Sequence, residues 1–183
     1  LAYGNAVVLK PADLVPGTAH LLAQIIHDAG CPAGLFNLVM GPGSVVGNAM
    51  IEHPEIAGIS FTGSVQTGRS IARSALTDMK KIQLEMGGKN PMVVLNDADL
   101  DLAVAACLNG AFFSTGQRCT ASSRLIVEDG IHDAFVKKLA AQMVALRVGP
   151  ALDATSQIGP VASAQQLKSN LAYVDLARAE GCD

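Results

Sequence analysis

The chain has 183 residues, 50% of them apolar, with 18 glycines, no Trp and a formal net charge of −3. That length suits one or two compact units, and the profile suits an α/β protein with a core of Val, Ile, Leu and Ala. No basic run interleaved with aromatics suggests nucleic acid, no apolar run approaches the ~20 residues that cross a bilayer, and no signal-peptide pattern opens the chain.

Leu1-Ala2-Tyr3-Gly4 reads as a helix end with its glycine cap and lacks an initiator Met, and Glu180-Gly181-Cys182-Asp183 stops just past a helical pattern. The expectation is an internal fragment of a longer protein. Asn5 to Lys10 predicts a short strand ending at Pro11. Leu21, Leu22, Ile25, Ile26 and Ala29 then recur at helical spacing over about 15–29, closed by Gly30. Leu35 to Met40 predicts a second strand running into Gly41-Pro42-Gly43-Ser44, and Ser44 is placed to cap a helix over 45–52. Ile56 to Phe61, a helix after Thr62-Gly63-Ser64 to about Leu76, and Lys81 to Met86 continue the alternation.

After Gly87-Gly88 the texture changes. Pro91 to Leu95 predicts a strand, and 99–113 an Ala-rich helix that Asp99 starts. Arg124 to Val127 predicts another strand, Ile131 to Leu146 an amphipathic helix, and Ala164 to Glu180 a last helix. Strands separated by single helices imply parallel pairing through right-handed crossovers, hence a doubly wound sheet. A domain boundary is expected near Gly87-Gly88, giving units 1–86 and 87–183.

Ligands of such sheets bind at the carboxyl ends of the strands, where helix N-termini offer N–H groups to phosphate. Three successive strand ends have suitable residues: Lys10-Pro11-Ala12-Asp13, Gly41-Pro42-Gly43-Ser44 and Thr62-Gly63-Ser64. Each alone reads equally as a tight turn with an ordinary cap; together they suggest a nucleotide cradle. The G-x-G-x-x-G fingerprint of ordinary Rossmann dehydrogenases is absent.

The four cysteines, Cys31, Cys107, Cys119 and Cys182, match neither a zinc pattern nor a disulfide framework, which suits a reducing cytoplasm. No metal site is expected, since the four histidines show no ligand spacing and Asp97, Asp99 and Asp101 lack the rest of an EF-hand. Cys119 differs from the others. It follows Ser114-Thr115-Gly116-Gln117-Arg118 and precedes Thr120-Ala121-Ser122-Ser123, a polar, small-residue loop that suits a thiol reached by substrate as well as an inert surface cysteine.

Four stretches carry a resemblance: Gly4-Asn5-Ala6-Val7-Val8-Leu9-Lys10-Pro11, Phe61-Thr62-Gly63-Ser64, Leu84-Glu85-Met86-Gly87-Gly88-Lys89 and Gly116-Gln117-Arg118-Cys119. Their order and spacing resemble the aldehyde dehydrogenase superfamily over essentially the whole chain. Residues 10–13 and 112–124 most resemble the bacterial 2-oxoglutarate semialdehyde (2,5-dioxovalerate) dehydrogenases.

The resemblance implies an incomplete Rossmann-like parallel sheet of a cofactor domain followed by the start of an α/β catalytic domain. It implies oxidation of an aldehyde to an acid with NAD or NADP. Cys119 would be the nucleophile and Glu85, expected at the end of a buried strand, the general base; burial there would help the carboxylate take up a proton. Lys10 and Asp13 would hold the adenosine ribose, where most members carry Glu in place of Asp13. Gly41, Gly63 and Ser64 would line the adenine and pyrophosphate. Arg118 would pair with the distal carboxylate of a semialdehyde, or serve only as a structural or solvent-facing side chain.

The family's oxyanion asparagine has no match here, and neither does the second glutamate that holds the nicotinamide ribose. The isolated chain is therefore expected to be inactive and poorly stable, and the whole protein an enzyme of two or four copies. Partners would be a small aldehyde, and neither nucleic acid nor a membrane. A non-catalytic nucleotide-binding relative is one alternative, disfavoured because Cys119 and Glu85 are both present. Thioesterase chemistry at the same cysteine is the other.

Overall fold

The computed structural model describes residues 1–182. The chain divides into two compact units at Met86/Gly87, each a set of parallel strands and crossover helices. In the first, β1 (Val7–Leu9) pairs in parallel with β2 (Phe36–Leu38) through the crossover helix α1 (Pro16–Asp28). β3 (Gly58–Gly63) pairs in parallel with β4 (Lys81–Met86) through α3 (Val65–Thr77). The alternation predicts this parallel pairing. One continuous doubly wound sheet does not form among the described residues, because β1–β2 and β3–β4 stand as separate pairs.

Two local features hold the β3–β4 pair. Gly68 of α3 faces β4 so closely that a Cβ there would lie 2.5 Å from the Met86 sulfur, and Gly68, Ile71 and Ala75 form the buried stripe. Lys80, between α3 and β4, is buried and donates its ammonium to Ile51 O at 2.5 Å and His53 O at 2.8 Å. It thereby satisfies carbonyls at the end of α2 (Asn48–Glu52), whose last turn has no intrahelical donors for them.

The predicted cap at Ser44 does not form. Residues Gly43–Gly47 make a wide π turn before α2 with Pro42 at its start, and the Ser44 carbonyl instead accepts from Asn48 Nδ2 at 2.9 Å. Pro42 O accepts from both Val45 N and Val46 N, at 3.0 and 2.9 Å, so the Val46 N–H that a Ser44 cap would satisfy is already taken.

In the second unit β5 (Asn90–Val94) pairs in parallel with β6 (Ser122–Val127), joined by α4 (Leu100–Ala111) and the cysteine loop. Asp99 caps α4, accepting from Leu102 N at 2.9 Å. Val104, Cys107 and Leu108 of α4 meet Ile131, Phe135 and Leu139 of α5 (Asp129–Val144), with Val94 beneath, to form the main core. The spacing of four along α5 puts its three residues on one stripe. The last helix, α6 (Ala164–Ala179), is capped by Ser163, which accepts from Gln166 N at 3.2 Å.

Candidate functional site

In the first unit the candidate residues gather at strand carboxyl ends in two groups. Lys10 follows β1. Its ammonium donates to Pro11 O at 2.5 Å, to Asp13 Oδ1 at 2.8 Å and to Gly41 O, beyond β2, at 3.1 Å. All three ammonium protons are thus used, and they lace the ends of β1 and β2 together. Gly41 has φ +138°, and a Cβ on it would lie 2.8 Å from Val46 Cγ2, so the turn admits only glycine without rearrangement.

The second group lies at the end of β3–β4. Gly63 and Met86 are in register, as are Thr62 and Glu85, so Glu85 shares the strand end with Gly63 and Ser64. Ser64 caps α3, its Oγ accepting from Thr67 N at 3.1 Å, while the Val65 and Gln66 N–H groups find no acceptor among the described residues. Those two N–H groups at the start of a 13-residue helix fit an anionic phosphate.

Glu85 departs from expectation. Its side chain is exposed, with one long contact from Gln83 Nε2 at 3.4 Å. β4 pairs only with β3 among the described residues, so the face and edge that would enclose the carboxylate are open.

In the second unit the cysteine loop is shaped by three consecutive residues at positive φ, Ser114 (55°), Thr115 (56°) and Gly116 (66°). Such a conformation in two non-glycine residues costs on the order of 1–3 kcal/mol each and needs external support. Gln117 Oε1 supplies part of it, accepting from Thr115 Oγ1 at 2.8 Å and from Ala162 N at 3.1 Å. A β-turn follows, closed by Ala121 N donating to Arg118 O at 3.0 Å, with Cys119 at its second position. Cys119 is exposed, and its backbone N–H has no acceptor among the described residues.

Arg118 folds back onto the last turn of α4, where Nη2 donates to Asn109 O and lies 3.3 Å from Asn109 Oδ1. Its Nε and Nη1 have no acceptor among the described residues. The guanidinium is therefore anchored on one side and open on the other. Sequence reasoning missed Asn90, whose Nδ2 donates to Cys119 O at 2.8 Å and to Ala121 O at 3.3 Å. An amide residue opening the strand just before a proline was the available signal.

The Aldehyde dehydrogenase family matches residues 1–183. The chain is 46% identical over 181 residues to an alpha-ketoglutaric semialdehyde dehydrogenase of Bacillus subtilis, covering 99% of this chain and 37% of that protein. It is 43% identical to a betaine aldehyde dehydrogenase of Rhizobium leguminosarum, with the same coverage. A crystal structure of betaine aldehyde dehydrogenase from Staphylococcus aureus in complex with NAD+ superposes with a TM-score of 0.95 at 39% identity, over 98% of this chain and 36% of that one. The chain thus spans little more than a third of the length of these relatives.

Proposed function

The chain belongs to the aldehyde dehydrogenase family, and on that footing we propose that the protein carrying it oxidises an aldehyde to a carboxylic acid with NAD or NADP. Residues 1–86 would contribute to the cofactor domain and residues 87–183 to the catalytic domain. The observation that carries this reading is Cys119 itself: an exposed thiol at the second position of a supported turn, with an unengaged N–H beside it.

Cys119 Sγ, as thiolate, adds to the aldehyde carbon, and the carbonyl electrons move onto oxygen. The Cys119 N–H is one donor for that oxyanion. NAD or NADP, when bound, would supply the hydride acceptor, and loss of the hydride would leave the carbon as a thioester on Cys119 Sγ. Glu85 then takes a proton from water, whose oxygen adds to the thioester carbon. The C–S bond breaks, releasing the acid and the free cysteine.

Lys10, Asp13 and Gly41 would hold the adenosine ribose end of the cofactor. Gly63, Ser64 and the two free N–H groups of α3 would receive the pyrophosphate, a role their chemistry fits.

For substrate we propose a semialdehyde bearing a distal carboxylate, such as 2-oxoglutarate semialdehyde. Arg118 adjoins the nucleophile with Nε and Nη1 unengaged, and this favours an anionic substrate over a cationic one such as betaine aldehyde. The relative of highest identity given above bears a semialdehyde name, which agrees.

The deciding experiment follows reduced cofactor by absorbance in the full-length protein carrying this chain. Cys119→Ser abolishes turnover. Glu85→Gln still yields one equivalent of reduced cofactor per site, then stalls at the thioester. Turnover in Cys119→Ser at the native rate would sink the proposal.

A further inference from the structure

The nucleophile's peptide is held from outside its own loop. Asn90 opens β5, and its side-chain amide reaches across to the turn of residues 118–121. There Nδ2 donates to the carbonyls of Cys119 (2.8 Å) and Ala121 (3.3 Å), the second and fourth positions of the turn. Both partners are carbonyl oxygens, so only the NH2 end of the amide can face them. The backbone reinforces the strap: Asn90 pairs with Ser122 in register, and the ladder then slips by one residue before Pro91 meets Arg124. The slip leaves an extra residue on β6 directly after the turn, where pairing alone leaves the backbone least determined.

We propose that Asn90 is a positioning residue for catalysis: by fixing the Cys119 and Ala121 carbonyls it holds the turn so that the Cys119 N–H points outward at the oxyanion of the attacked carbonyl. This rests on the reading of Cys119 as nucleophile. The physical argument is one of peptide orientation. The Cys119 N–H belongs to the peptide whose carbonyl is Arg118 O, and that carbonyl is held by Ala121 N, so the peptide is only as fixed as Cys119 and Ala121 themselves. The hydrogen bonds from Asn90 fix the residues on either side, Cys119 and Ala121, and through the Ala121 N–H the Arg118–Cys119 peptide; a backbone N–H serves as an oxyanion donor only when it is aimed in advance. The neighbouring supports act elsewhere. Arg118 grips Asn109, and Gln117 grips Thr115 and Ala162, so neither fixes the peptides that follow Cys119.

The test separates attack on a carbonyl, which needs the oxyanion donor, from alkylation, which does not. In the full-length protein, Asn90→Asp keeps the side-chain shape but turns an acceptor toward two acceptors. Its acylation by an activated ester and its aldehyde kcat should fall about 10- to 100-fold, a fraction of the loss when an oxyanion donor is deleted outright. KM for the cofactor, the melting temperature and the rate of iodoacetamide alkylation at Cys119 should stay near native. Asn90→Ser, smaller and without a carboxylate, should give the same split and decides the matter if the Asp variant fails to fold. Native acylation in both variants overturns the proposal, as does a parallel loss of acylation, alkylation and melting temperature, which marks a merely structural residue. If the native protein itself is not acylated at Cys119, the reading of Cys119 as nucleophile has failed, and this inference fails with it.

Discussion

Lys10 Nζ lies 2.8 Å from Asp13 Oδ1, and the same ammonium is committed to the carbonyls of Pro11 and Gly41. Lys10 therefore has no proton left for a new anion, whereas Asp13, 53% exposed, still offers an oxygen as acceptor. Under the proposed assignment a ribose diol would find an acceptor here, and a 2′-phosphate would meet a carboxylate in front of a saturated cation.

NAD is accordingly the expected cofactor. Asp13→Ser should free one Lys10 proton and remove the repulsion. Preference, read as the ratio of kcat/KM values, should then move toward NADP by about tenfold or more, the worth of one charged hydrogen bond of about 1.5 kcal/mol. An unchanged ratio would show that this pair does not read the ribose.

Lys80 should matter through carbonyls and not through charge pairing. Its side chain is 3% exposed and donates to Ile51 O and His53 O, while Asp78, at 3.5 Å, is 51% exposed. Lys80→Met strands two acceptors and should lower unfolding stability by about 1–3 kcal/mol. Asp78→Ala removes a solvated ion pair and should change it by less than about 1 kcal/mol. Chemical denaturation of both variants checks the contrast, and equal losses would refute it.

Cys107 and Cys119 should behave oppositely toward thiol reagents. Cys107 is wholly buried among Val104, Leu108 and the α5 stripe, and burial pushes its thiol up from the ordinary value. With the folded value raised, the folded state keeps the proton that the unfolded state gives up. This contribution is therefore intact below the ordinary thiol range and is lost as pH rises through it toward the raised folded value. Stability should fall more steeply with alkaline pH in the native chain than in Cys107→Ala. Native-state iodoacetamide should label Cys119 and spare Cys107, and mass mapping of the labelled peptides reads this directly.

The helices and strands were legible because their signals are local. Ser64 caps as its position predicts, Asp99, the charge expected at the start of α4, proves to be its cap, and Lys81–Met86 is a strand at the predicted bounds. What escaped depends on distant partners. The exposure of Glu85 follows from which strands flank β4, and the missing cap at Ser44 from the Pro42 carbonyl, which takes the Val46 N–H first. Asn90 acquires its role only once β5 and β6 are paired, 29 residues from its acceptor. Periodicity carries none of that information.

The isolated 183-residue chain should melt unevenly. Among the described residues, nine of the twelve buried apolar ones lie beyond Met86, eight of them in the core of α4, α5 and β5 and the ninth, Ala121, in the cysteine turn; the first unit buries only Ala19, Ile71 and Ala75. The stripe predicted for α1 is largely uncovered, with Leu21, Leu22 and Ile25 at 59%, 46% and 55% exposure. At about 25 cal/mol per Å² of apolar burial, so thin a core leaves little to offset chain entropy. Amide exchange in α1 and β1 should therefore be fast while α4 and α5 stay protected, and heating should give a broad transition that different probes place at different temperatures. A single sharp transition, coincident by circular dichroism and exchange, would mean that the first unit draws stability from contacts its exposed apolar faces do not display.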